Sequence, residues 1–82
     1  MTTDEIRTRA RAALARALKT TPEKISDNAS QMDLSGWDSV HHMNVVIALE
    51  NDFDIEFDDA ELATMTSLPA LVAAIEKHTG AG

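Results

Sequence analysis

The 82-residue chain contains no cysteine. That excludes disulfides, thiolate nucleophiles and cysteine-based metal sites, so any thiol chemistry must use a thiol from outside the sequence. Long apolar runs are also missing. Residues 1–20 are polar and charged, with no run of signal-peptide length. No stretch approaches the roughly 20 apolar residues of a membrane span. The cytoplasm is therefore the expected location. Repeats and low-complexity segments are lacking as well. The chain is short enough to form one domain with one modest core. A core of that size leaves little room to enclose a deep catalytic pocket, which favours a binding or carrier module over an enzyme.

Basic residues are scarce beyond residue 24. Residues 1–24 hold six of the seven, Arg7, Arg9, Arg11, Arg16, Lys19 and Lys24, against three acids. Residues 25–82 hold eleven acids and only Lys77. The net charge of -7 repels phosphate backbones and argues against nucleic acid as a partner. It suits a partner with a basic docking face and electrostatically steered encounter. Acidity that serves only solubility is the alternative reading.

The pattern predicts an all-α fold, a small four-helix bundle of three longer helices and one short one with a long first loop. The first helix is predicted from about Asp4 to Leu18, with Thr2 and Glu5 at capping-box spacing. Ile6, Ala10, Leu14, Ala17 and Leu18 form its apolar stripe. The loop from about Thr21 to Asp38 is rich in turn formers. Ile25, Ala29, Met32, Leu34 and Trp37 are expected to pin it to the core, because a loop this long is otherwise unexpected in a compact domain.

A second helix is predicted from Asp38 or Ser39 to about Asp52, and either side chain is able to cap it. Val45, Val46, Leu49 and Phe53 form one stripe. Val40, Met43 and Ile47 form another, displaced by about a third of a turn. If only the first stripe faces the core, the second is a contact surface beside Ser39; the alternative is that both pack inside. Asp54–Phe57 reads as an extended connector with Ile55 and Phe57 turned inward. Asp58-Asp59 then caps a short helix through Ala63. The last helix opens at Thr66 or Ser67, tolerates Pro69 in its first turn, and ends at Gly80. Residues 1–79 are taken as the domain and 80–82 as a flexible tail.

Two familiar chemistries fail on geometry. Asp38, Ser39, His41 and His42 invite a hydrolase reading, but neighbours on one helical turn point in different directions, and no GxSxG elbow is present. The acids from Asp52 to Asp59 resemble a calcium loop, but Phe57 and Ala63 stand where that loop needs Gly and Glu. His41, His42 and His78 lack metal-ligand spacing. His41 is expected to be exposed and His42 partly buried. No catalytic residue and no metal site are therefore assigned. A serine at a loop-to-helix junction remains, where free N–H groups and the helix dipole favour an anion. By position alone, a plain N-cap is the favoured reading of Ser39.

Leu34-Ser35-Gly36-Trp37-Asp38-Ser39-Val40 resembles the prosthetic-group site of the acyl carrier protein family, in which Asp-Ser-Leu opens the second helix. The resemblance extends through Lys24–Ser30, Val46–Phe57 and Met65–Leu68, and so covers nearly the whole chain in register. It implies that Ser39 carries 4'-phosphopantetheine, transferred from coenzyme A by a phosphopantetheinyl transferase. It further implies that Asp38 supports that modification by helping to hold a metal ion in the modifying enzyme's complex. Val40, Met43 and Ile47 are implied to be gripped by partner enzymes, with His41, Asn44 and Glu50 around them. The arm would then supply the thiol that the sequence lacks, the protein itself would catalyse nothing, and a monomer is expected. A cargo-loading ligase or transferase and downstream biosynthetic enzymes are the implied partners. Three departures stand out: Val40 replaces the usual leucine, and His41 and Asn44 stand where fatty-acid-synthesis carriers usually have acids. They suggest a specialised carrier, for a secondary-metabolite, modified fatty acid or aminoacyl pathway. An unmodified helical adaptor is the alternative.

Overall fold

A computed structural model describes residues 2–34 and 36–80; Ser35, expected from its type to favour a turn, and most of the predicted tail, Ala81 and Gly82, lie outside the described residues. Among the described residues four α-helices follow one another: α1 (Thr3–Ala17), α2 (Ser39–Phe53), α3 (Asp59–Thr64) and α4 (Leu68–Thr79), with a 3-10 turn at Pro22–Lys24. No strand occurs among the described residues; one isolated antiparallel bridge pairs Ser30 with Ser67. The all-α bundle expected from the sequence is the fold observed.

α1 starts at the predicted capping box. The Glu5 amide donates to Thr2 Oγ1, and the Thr2 amide donates to Glu5 Oε1, each at 3.2 Å. The helix packs against α2, α4 and the 3-10 turn. Ile6, Ala10 and Leu14 are buried as expected, whereas Ala17 and Leu18 are only half-buried. Ala13 and Ala15 are fully buried too, because a helix with neighbours on several sides needs small residues where backbones approach. Its arginines tie it to the rest of the fold. Arg9 Nε lies 3.3 Å from Asp52 Oδ2, and its guanidinium sits 4.4 Å from the centre of the Phe53 ring. Arg11 pairs with Asp27.

The long first loop is held by side chains and backbone together. Ile25, Ala29 and Trp37 are buried, and Leu34 is half-buried against the core. The Leu68 amide donates to Ala29 O at 2.8 Å, and the Gln31 amide to Thr66 O at 2.9 Å. Met32 departs from expectation. It is 96% exposed rather than pinned, because a tight turn, in which the Asp33 and Leu34 amides both donate to Ser30 O, puts residues 31–33 at its apex.

α2 ends one residue later than predicted, with Asp54 in the left-handed region at φ 55°. The connector follows the expected pattern: Ile55 and Phe57 are half-buried against the core. α3 begins with a capping box between Asp58 and Glu61 and ends at Thr64. None of its own residues is fully buried, although Met65 just beyond it is. Ser67, not Thr66, caps α4 by accepting from the Ala70 amide at 3.2 Å. Gly80 ends α4 at φ 71°, a conformation that glycine adopts without steric cost. Leu68, Leu71, Val72 and Ile75 bury the face of α4. Among the described residues no helix is long and apolar enough to cross a membrane.

Candidate functional site

The site is built at the start of α2. Trp37 is buried, and its indole Nε1–H donates to His42 Nδ1 at 3.0 Å. This anchors the end of the loop to the first turn of the helix. It also leaves His42 Nε2 to carry a proton toward Leu62 O, 3.2 Å away on α3. One half-buried histidine therefore joins the loop, α2 and α3. Its partial burial matches expectation; the sequence gives no periodic signal for the Trp37 contact.

Asp38 follows in extended backbone and is the N-cap. Its Oδ1 accepts from the His41 amide at 2.9 Å and lies 2.8 Å from His41 Nδ1. These contacts, the His41 backbone N–H first and its ring second, hold the Asp38 carboxyl below its ordinary pKa. The ambiguity between two caps is thereby resolved. Asp38 does the capping, and Ser39 is the first helical residue, exposed, its hydroxyl making no hydrogen bond to any described residue. The reading of Ser39 as a plain N-cap falls. The hydrolase reading falls with it: Asp38 binds His41 while His42 binds Trp37 and Leu62, so no acid–base–nucleophile line forms.

The two stripes of α2 have opposite fates. Val45, Val46, Leu49 and Phe53 are in the core. Val40, Met43 and Ile47 are 74%, 48% and 50% exposed, on the helix that Ser39 opens. Asn44 is exposed, and His41 is half-exposed beside Asp38. Glu50 lies at the far end of the helix, half-buried, where its Oε2 accepts from the Phe57 amide at 2.9 Å. Near α4, Glu61 receives His78 Nε2 at 2.8 and 2.9 Å. That contact is the main reason its carboxyl is held below the ordinary range.

A small bundle that offers an exposed, uncommitted serine in the first turn of a helix, flanked by uncovered apolar side chains, is a frame in which that hydroxyl is open to covalent attachment. Comparison with known proteins identifies that frame. The family described as the phosphopantetheine attachment site matches residues 8–75. The acyl carrier protein of Phenylobacterium zucineum (strain HLK1) is 33% identical over 73 residues, which span 89% of this chain and 92% of that protein. The chain belongs to the acyl carrier protein family. Its members are carriers rather than catalysts, their prosthetic group is phosphopantetheine, and they work with a phosphopantetheinyl transferase and with biosynthetic enzymes.

Proposed function

We propose that Ser39 is the attachment point of 4'-phosphopantetheine and that the protein delivers acyl or aminoacyl cargo to the enzymes of a specialised biosynthetic pathway. The observation that carries this reading is the exposed Ser39 hydroxyl at the first position of α2, relieved of capping by Asp38. The arm supplies a thiol that holds cargo as a thioester. The chain's own residues do the rest. The first-turn amides of α2 favour a phosphodiester on Ser39 Oγ. Asp38, kept ionised by His41, supports the modification. Val40, Met43 and Ile47 give partners an apolar grip, with His41, Asn44 and Glu50 setting charge around it. Residues 1–79 act as a monomeric carrier domain in the cytoplasm.

Intact mass after incubation with coenzyme A and a broad-specificity transferase tests the attachment. The native chain is expected to gain one phosphopantetheine and Ser39→Ala none. Ser39→Ala should stay folded and lose no more than about 0.5 kcal/mol, as an exposed residue without a capping role. A native chain that stays unmodified would instead favour a helical adaptor.

The specialised assignment rests on His41 and Asn44. An enzyme of fatty acid synthesis that needs acids at both places is expected to use this carrier several-fold to about thirty-fold less well, at about 0.2–1 kcal/mol per missing exposed ion pair. Asn44→Glu, alone and with His41→Asp, should recover much of the transfer rate at low salt. The single change matters because His41 also binds Asp38. Equal rates for native and substituted carriers would remove this basis for a specialised pathway.

A further inference from the structure

A groove of about 330 Å³ lies between the end of α1 and the first loop, lined by Leu18, Thr20, Lys24, Asp33, Leu34 and Gly36. We infer that this groove is a resting site for the phosphopantetheine arm on its own carrier; the inference rests on Ser39 being the attachment point. Gly36 is three residues before Ser39, so their Cα atoms are at most about 11 Å apart. The groove is thus within reach of an arm fixed at Ser39, at the high effective concentration of a tethered ligand.

The lining matches the arm's chemistry. Leu18 and Leu34 are half-buried, packed on the core on one side and open on the other. They suit the arm's geminal methyl groups, which gain by leaving water. Lys24 is exposed and makes no ion pair with a described residue. Its charge favours the anionic phosphodiester end. Asp33 and Thr20 offer oxygen acceptors to the arm's hydroxyl and amide N–H groups, and the Thr20 hydroxyl is also a donor. Lodging there, the arm would leave Val40, Met43 and Ile47 uncovered for a partner.

Gly36 provides a probe that spares the packing, since a Cβ at that position meets nothing within 4 Å. The experiment uses isotope-labelled protein carrying an unlabelled arm, with loading verified first by intact mass. Failure to load would therefore indict the attachment reading, not the groove. In the loaded native protein, nuclear Overhauser effects are expected between the arm's geminal methyls and the methyls of Leu18 and Leu34. A nitroxide on the arm's thiol should broaden the amides of Thr20 and Lys24 more than those of Phe57 and Leu62. Loaded Gly36→Leu, with an otherwise unchanged amide spectrum, should lose those Overhauser effects. A fully loaded native protein whose arm shows contacts only near Leu62 and Phe57, or none at all, would overturn the inference without any variant being needed.

Discussion

α2 carries two apolar stripes of nearly the same chemistry, and the fold treats them oppositely. Val45, Val46, Leu49 and Phe53 face α1 and the core, while Val40, Met43 and Ile47 remain in water. Amino-acid type therefore does not decide burial here; angular position relative to the neighbouring helices does. Uncovered apolar side chains add nothing to the core and favour association, which is why a contiguous row of them beside an uncommitted serine supports the proposed docking surface.

The sharpest way to break that contrast is to truncate each stripe in turn. Leu49 is fully buried. Leu49→Ala is expected to cost about 2–5 kcal/mol, the lost transfer energy plus the cavity. In a domain of this size, that is enough to leave a substantial unfolded population at ordinary temperature. Chemical denaturation followed by circular dichroism measures it. A loss below about 1 kcal/mol would mean that the inward stripe is not the one that holds α2.

The expected second largest effect concerns the helix start. Asp38→Ala removes the side chain that caps α2 and should lower the melting temperature by less than Leu49→Ala does. The pH dependence has a defined sign. The folded-state pKa of Asp38 is depressed, so its contribution is complete above the unfolded value near 4 and fades as pH falls through the lower folded value. The gap in melting temperature between native protein and Asp38→Ala should therefore be full at pH 7 and shrink toward pH 3. A gap that persists undiminished in acid would show that Asp38 acts as something other than an ionised cap.

Much of this was legible in the residues, for reasons that also explain what was not. Caps and stripes are local: Thr2 with Glu5, Gly80 after α4, and the 100° spacing on α2 can be read without knowing what packs where. Choosing between Asp38 and Ser39 as the cap could not be done that way, because both types cap well; the extended backbone at Asp38 and its contacts with His41 decide it. Met32 misled because apolar identity argues for burial, whereas the turn at Ser30–Leu34 turns it outward. Ala13 and Ala15 escaped the stripe because their burial depends on neighbours on more than one side of α1. The hydrogen bond from Trp37 to His42 across the loop boundary, and the meeting of Leu18 and Leu34 in the lining of one groove, leave no periodic trace.

The smallest expected effect on stability sharpens the contrast most. Met43 is 48% exposed, between Val40 and Ile47 on the uncovered stripe. Removing its side chain opens no enclosed cavity, so Met43→Ala should change stability by no more than about 0.5 kcal/mol, as an exposed substitution does. Alanine also favours the helix slightly over methionine, which offsets part of any packing lost. If the stripe is a docking surface, the cost appears in encounters instead. The transferase should modify Met43→Ala more slowly than native protein at equal concentration, through a weaker complex rather than a misfolded substrate. Melting temperature and initial modification rate, measured on one preparation, separate the two fates. A marked drop in melting temperature with an unchanged rate would make Met43 a packing residue and erase the distinction between the stripes at that position. An unchanged melting temperature with a slowed rate would place the function of α2 on the side that the core does not use.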